Sequence, residues 1–235
     1  MATADHFWMD WRLRAFENLL GQAHVSLAAP LKGIEIGCGA GVLRRQLESR
    51  GAWTVDGADI DKEALESNPA LRGEALLYDV RDRNPELEER YDFLLLFDVV
   101  EHIAQPERFI ADCLFLVKPG GWVFVNVPAF EGMRSAYDTA AGHLHRYTAS
   151  ELAALLERSG AAPRAAGYWG LSMLPLLLAR TFALRGAPKD EIVRRGFVPP
   201  GRLVNAALRA IGRLETAVLS RPPAGTSVMA AAQKP

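Results

Sequence analysis

The sequence has little cysteine. Cys38 and Cys113 are the only two, too few for a disulfide framework or a four-cysteine zinc site, and suited to a reducing compartment. It lacks net charge: 27 basic residues face 28 acidic ones, so no global field draws the chain to nucleic acid or to an anionic membrane. It lacks a secretory leader, since residues 1–11 carry acids and tryptophans where a basic stretch and then an apolar one would be needed. It also lacks a run able to span a bilayer, because the greasiest stretch, 170–184, is interrupted by Pro175 and Arg180. Repeats and low-complexity tracts are absent. These absences leave a soluble, cytoplasmic enzyme as the expectation.

What is present is a chain of 235 residues, 49% hydrophobic, enough for one domain with an elaboration. Met9, Leu13, Phe16 and Leu20 recur at helical spacing and predict an amphipathic helix within 5–29. From Gly33 short apolar runs alternate with helical patterns, the signature of βαβ units. Strands are predicted at 32–36, 53–58, 74–78, 93–97 and 122–127, with helices at 41–50, 62–67 and 106–117 between them. The runs at 93–97 and 122–127 are almost wholly apolar, as strands buried on both faces of a parallel sheet should be. Pro119-Gly120-Gly121 reads as the stop between helix and strand. Thr148 with Glu151 forms a capping box for a helix at 151–159. A sixth strand at 163–169, a mostly helical insertion at 171–219 broken by Pro188 and Pro199-Pro200, and a closing strand at 226–233 complete the pattern.

The chemistry is carried by Gly33-Ile-Glu-Ile-Gly-Cys-Gly-Ala-Gly41, a glycine-rich strand-to-helix turn of the kind that opens onto the ligand crevice of such sheets. A dinucleotide fingerprint starting at Gly37 needs its third glycine at position 42, where Val42 stands. Glu35 lies inside an apolar strand, where a carboxylate is costly unless something satisfies it. The second strand runs out at Asp59, placed to accept hydrogen bonds from ribose hydroxyls. The third ends at Asp79-Val80 and the fourth at Asp98. Four acids thus line one groove if their strands lie side by side.

This pattern resembles the class I S-adenosylmethionine-dependent methyltransferases, in the group that includes ubiquinone-biosynthesis and small-molecule O-methyltransferases. The resemblance rests on Glu35-Ile-Gly-Cys-Gly-Ala-Gly41, Gly57-Ala-Asp-Ile-Asp61, Asp98-Val-Val-Glu-His102 and Leu116-Val-Lys-Pro-Gly-Gly121, four motifs in order. It implies a doubly wound, mostly parallel α/β sheet of seven strands in order 3-2-1-4-5-7-6, the last antiparallel. The chain then divides into an N-terminal helical lid (1–30), a cofactor-binding core (31–170 and 222–235) and a helical insertion (171–221). It implies S-adenosylmethionine as cofactor and S-adenosylhomocysteine as product. Glu35, Gly37, Cys38, Gly39 and Gly41 would hold the methionine portion, Asp59 and Ile60 the ribose, Asp79 and Val80 the adenine, and Phe97 and Asp98 the border of the methionine end. A second stretch, 138–148, is similar to a bacterial subset that usually carries a basic residue where Leu144-His145 stands.

Methyl transfer from a sulfonium asks mainly for alignment of donor and acceptor. A base is needed where a hydroxyl must lose its proton, and His102, His143, His145 and Tyr147 are the candidates. His102 has an orienting hydrogen bond as its alternative role; His143, Arg146 and Tyr147 have the pinning of a loop. Trp8 and Trp11 are expected to close over the cofactor or to pack on the sheet. Asn126, Arg146 and Tyr168 are candidates to meet the substrate. Asp61 reads as a helix cap. Nothing suggests a metal: no acid and histidine cluster has ligand spacing, and a catechol-type magnesium site is not apparent. The expected activity is methylation of a small, partly apolar molecule such as a quinone, phenol, lipid-like acid or natural-product intermediate. O-methylation comes first, with N- or C-methylation close behind. Alternatives are a non-methylating use of the same cofactor, a nicotinamide-dependent reductase and a silent binding module. The protein is expected as monomer or homodimer, with 171–184 able to touch a membrane or an apolar substrate. Arg194, Arg195, Arg202, Arg209 and Arg213 read as a solvated basic face.

Overall fold

The computed structural model describes residues 6–183 and 201–235; Pro188, Arg194, Arg195, Pro199 and Pro200 lie outside them. The sheet is built from β1 (Lys32–Ile36), β2 (Thr54–Asp59), β3 (Ala75–Leu77), β4 (Tyr91–Phe97), β5 (Val117–Pro128), β6 (Ala162–Trp169) and β7 (Ser227–Gln233). Its order is β3-β2-β1-β4-β5-β7-β6. The first five strands pair in parallel, and β7 runs antiparallel between β5 and β6. The helices are α1 (Phe7–Gln22), α2 (Val42–Arg50), α3 (Lys62–Glu66), α4 (Pro106–Leu114), α5 (Ala136–Ala141), α6 (Ala149–Arg158), α7 (Leu174–Ala183) and α8 (Arg202–Val218).

Two element boundaries, the start of a strand and the end of a helix, differ by several residues from the sequence pattern. β5 begins at Val117, so Pro119-Gly120-Gly121 lies within it as an irregularity. Tyr91 pairs with Val117 and Phe93 with Trp122, and Gly120 takes φ +75° while its N–H donates to the Lys234 carbonyl. The helix before it therefore stops at Leu114, because Leu116 and Val117 are spent on the sheet. At the N-terminus α1 ends at Gln22, and the chain turns through His24 at φ +58° before β1.

The two faces of the sheet bury separate apolar clusters. On one, Phe16 of α1 meets Phe97 and Phe124 edge-on at 5.1 Å each, and Trp53 lies 4.1 Å from Phe93. On the other, Ile110 of α4 and Leu152, Leu155 and Leu156 of α6 cover β4, β5 and β7. α1 and α8 lie side by side with a constant offset: Phe7 N–H donates to Asn205, and the Asn18 and Gln22 amides donate to the Thr216 and Ser220 carbonyls, each pair 198 residues apart. The two helices thus run parallel.

Arg44 of α2 is wholly buried and donates to the carbonyls of Val55 and Gly73 and to Asn68 Oδ1, at 2.7–2.8 Å. Removing it strands two buried carbonyls and the half-buried Asn68 Oδ1, each of which costs free energy when unpaired. Arg44→Met is expected to lower stability by about 3–5 kcal/mol in urea unfolding; a loss below about 1 kcal/mol would show that these carbonyls find water instead.

Candidate active site

The glycine turn leaves β1 and enters α2 through three residues with positive φ, Gly37, Gly39 and Gly41. A side chain is excluded at Gly41, whose Cβ would fall 1.9 Å from Asn68 Oδ1. Gly39 is different: its Cβ would meet nothing within 4 Å, so the backbone there faces open space that a ligand can approach. The loop is tied to β2 by Gly37 and Cys38 N–H groups donating to the Ala58 carbonyl. The buried Cys38 packs inside the turn.

Asp59 closes β2 with both carboxylate oxygens oriented. Oδ2 accepts from Gly39 N–H at 2.8 Å and Oδ1 from Asp61 N–H at 2.9 Å. Asp61 caps α3, accepting from Glu63 and Ala64 N–H. Beside Asp59 opens a cleft of about 840 Å³ whose lining includes Gly37, Ile60, Asp79, Val80 and His102. Asp79 is turned partly away, bound to Arg81, and that guanidinium holds its carboxyl below the ordinary range. Ile60 is exposed at the mouth.

Deeper in, Glu35 is 4% exposed, and its Oε2 has no hydrogen-bond partner. Burial pushes its pKa up to about 8, with the charge of Asp98 adding to the rise and Arg12 and Arg44 opposing it. Asp98 sits at φ +59° just past β4. Arg12 Nη1 donates to one of its oxygens at 2.5 Å and Asn126 Nδ2 to the other at 2.6 Å, while Trp169 Nε1 donates to Asn126 Oδ1 at 2.9 Å. Asn126 is therefore a buried member of a central strand, tied to Asp98. The Arg12 guanidinium lies 5.6 Å from the Phe97 ring centre. Trp11 is buried and the Trp8 ring lies tilted 4.4 Å from that of Trp169, so both tryptophans hold α1 down beside this corner.

The loop after β5 folds back over the turn after β4, where Leu144 and His145 N–H groups donate to the Glu101 carbonyl. Asp138 is fully buried between His143 Nδ1 and Arg146 Nε, each at 2.9 Å, and these partners hold its carboxyl far below the ordinary range. Arg146 also donates to the Ala129 carbonyl; it pins the loop. His102 Nδ1 lies 3.2 Å from the Gly142 carbonyl, and burial with the nearby His143 lowers its pKa. A carboxylate oxygen of Glu101 and ring nitrogens of His102 and His143 lie within 4.8 Å of one another, a donor set a divalent cation would accept. Tertiary contact assembles this trio, which ligand spacing along the chain does not reveal. Three buried polar atoms here have no partner: Glu101 Oε2, His145 Nε2 and Tyr147 OH. Burial and the charge of Glu101 raise Tyr147 to about 12. Tyr168 stands apart, stacked on Phe130 at 4.8 Å with its hydroxyl accepting from Ala149 N–H.

The Methyltransferase domain family matches residues 2–165. The chain belongs to that family. Its fold is the one that the resemblance to class I S-adenosylmethionine-dependent methyltransferases implies. It is 36% identical over 113 residues to the ubiquinone biosynthesis O-methyltransferase of Burkholderia orbicola, a stretch covering 44% of this chain and 47% of that one. The chain thus spans about half the length of the curated relatives it matches. Among solved structures it resembles the 1,6-didemethyltoxoflavin-N1-methyltransferase of Burkholderia thailandensis, with 15% identity, TM-score 0.56 and coverage of 96% of this chain and 78% of that one. The [4+2]-cyclase SpnF matches at 16% identity and TM-score 0.60, over 96% and 81% of the two chains. These two likenesses speak for the fold alone.

Three residues of the candidate site escaped the sequence pattern. Arg12 had a signal, since it falls four residues from both Trp8 and Phe16 on the buried stripe, where a charge calls for a partner. Glu101 lay in a recognised motif, but only the turn after β4 decides that it, and not His102, points inward. Asp138 opens the recognised stretch 138–148, but its pairing with His143 and Arg146 is made within a loop of irregular path that no periodicity reveals.

Proposed function

We propose that this methyltransferase methylates a small, partly apolar acceptor at a hydroxyl oxygen. When bound, S-adenosylmethionine supplies a methyl group already activated on sulfur. The residues present suit it: Gly39 leaves open space, and Glu35 Oε2 is an unpaired buried acceptor in reach of a cationic group. Glu35 would take the cofactor's ammonium, Asp59 its ribose, and Asp79 with Val80 its adenine. Arg12, whose Nε is buried and unpaired, would answer the cofactor's carboxylate.

The observation that carries the acceptor reading is that Glu101 Oε2, His145 Nε2 and Tyr147 OH, from the turn after β4 and the loop that folds over it, are all buried without partners. Leu144 and His145 N–H groups donate to the Glu101 carbonyl, and the His145 and Tyr147 rings lie 6.0 Å apart. Unpaired buried polar atoms are costly, so their persistence together points to a ligand that pairs them. A hydroxyl does so, giving its proton to Glu101 or His145 and accepting from Tyr147. The likeness to O-methyltransferases supports the same atom.

The test is a screen of phenolic and hydroxylated apolar acceptors with labelled cofactor. S-adenosylhomocysteine and a methyl ether are expected as products, and methylthioadenosine would refute methyl transfer. Glu101→Gln is expected to lower turnover by about 10²-fold while S-adenosylhomocysteine affinity stays within about twofold. Unchanged turnover would remove Glu101 from the acceptor site.

A further inference from the structure

Among the described residues one trio of metal-ligating side chains comes together: Glu101 and His102 from the turn after β4, and His143 just past α5. One carboxylate oxygen and two ring nitrogens lie within 4.8 Å of one another, and the two rings stand edge to face. Proximity alone does not make a metal site. The way each member is held does.

Both imidazoles are fixed through Nδ1. That of His102 lies 3.2 Å from the Gly142 carbonyl, which can only accept, so this nitrogen carries the proton. That of His143 lies 2.9 Å from Asp138 Oδ1, an oxygen that also accepts from Arg146 Nε. Each neutral ring therefore presents Nε2 as a lone pair, the form in which histidine ligates a metal. Carbonyl and carboxylate partners of this kind set the tautomer and the aim of histidine ligands. Asp138 is itself immobilised, since the Ser135 N–H and hydroxyl donate to its second oxygen.

Glu101 is an independent sign. It is 1% exposed, and its Oε2 has no hydrogen-bond partner. A buried carboxylate oxygen with neither donor nor cation beside it is costly, and an ion between it and the two imidazoles would pair it. His102 is exposed and lines the cleft beside Asp59, so an ion here keeps open positions toward the cleft. Three protein ligands with an open position are the arrangement of catalytic metal sites. Two imidazoles with one carboxylate favour a first-row divalent ion such as Zn²⁺ over Mg²⁺, which prefers oxygen ligands. Tetrahedral zinc holds its ligands about 3.3 Å apart, a short closure for a set within 4.8 Å that includes an exposed side chain.

We propose that Glu101, His102 and His143 bind a first-row divalent cation whose open position takes the oxygen of the methyl acceptor. The ion lowers the pKa of a hydroxyl bound to it. With Glu101 occupied by the ion, the hydroxyl proton passes to His145. The oxygen lone pair forms the new O–CH₃ bond as the C–S bond breaks and leaves its electrons on sulfur. This role for the ion rests on the hydroxyl reading above, whereas the binding of the ion does not.

The test takes the full chain, stripped with EDTA, and titrates it with ZnCl₂ in a calorimeter without cofactor or acceptor. One equivalent is expected to bind. Glu101→Gln and His102→Ala should each weaken that binding by more than about 10²-fold, and Asp138→Asn, which would touch the ion only through His143, by about 10- to 100-fold. His24→Asn, at an exposed histidine outside the trio, should bind zinc as the wild type does. Because His102 is exposed, its variant should keep the wild-type circular dichroism, which separates lost ligation from lost fold. Co²⁺ should give the visible d–d bands of a four- or five-coordinate site in the wild type and lose them in His102→Ala. Absence of zinc uptake by the wild type, or equal uptake by both ligand variants, would overturn the proposal. In the acceptor screen, stripping should cost about 10²-fold in turnover, restored by zinc; full turnover of the stripped enzyme would refute the ion's role at the acceptor oxygen. Calorimetry needs no acceptor, so a failed screen leaves the cation site standing, and a failed titration leaves O-methylation standing.

Discussion

Asp59→Ala is expected to weaken S-adenosylhomocysteine binding by about 10²-fold or more in isothermal titration, with little change in thermal stability. Two losses combine. The carboxylate would give up the charge-assisted hydrogen bonds proposed to the ribose, each worth about 1.5–3 kcal/mol, and about 1.4 kcal/mol is a factor of ten. It also releases Gly39 N–H and Asp61 N–H, which its two oxygens hold at 2.8 and 2.9 Å, so the glycine turn loses the strut that sets its backbone for the ligand. Asp59→Asn keeps one acceptor oxygen and should lose about tenfold. The partly exposed position predicts that neither variant unfolds the chain. A dissociation constant within a factor of two of wild type for Asp59→Ala would remove the acid from the cofactor site.

Glu35→Gln should make the protein more stable at pH 8 and a poorer binder of its cofactor. The wild-type carboxyl keeps its proton up to about pH 8 in the folded chain, against an ordinary value near 4.5. Between those values the folded state holds a proton that the unfolded state has released, so stability falls as pH rises, by at most about 1.4 kcal/mol per unit. Above pH 8 the loss is complete. The amide is neutral throughout, so its curve should lack this slope and cross above the wild type in alkaline solution. Glu101 is also buried and shifted upward, so it keeps a slope of its own and the difference between variant and wild type is the readout. Urea midpoints at pH 5, 6.5 and 8 measure it. Parallel curves would mean that Glu35 ionises normally.

Most of the sheet was legible in the sequence because its strands are buried on both faces. Runs such as Phe93 to Phe97 and Trp122 to Val127 need no partner information to be recognised. The crevice proposed for the cofactor was legible for a related reason: Gly37, Gly39, Gly41, Asp59 and Asp79 all sit at or just past strand ends whose order follows from the fold. What failed to show was anything set by contact between distant segments. Arg12 reaches Asp98 across 86 positions, and Glu101 meets His143 only because the loop after β5 folds back over the turn after β4. The start of β5 was misjudged because Pro119-Gly120-Gly121, a strong stop signal locally, is overridden by pairing of Val117 with Tyr91.

The parallel pairing of α1 and α8 has a consequence for redesign. Gly212 has no room for a side chain, since a Cβ there would lie 2.5 Å from the Trp11 ring, and Trp11 is the neighbour of the arginine that grips Asp98. A graft that imports another homologue's lobe to alter substrate preference would therefore unseat the helix at the opposite end of the polypeptide. Chimeras of this enzyme should exchange the first and the last helix as a matched pair.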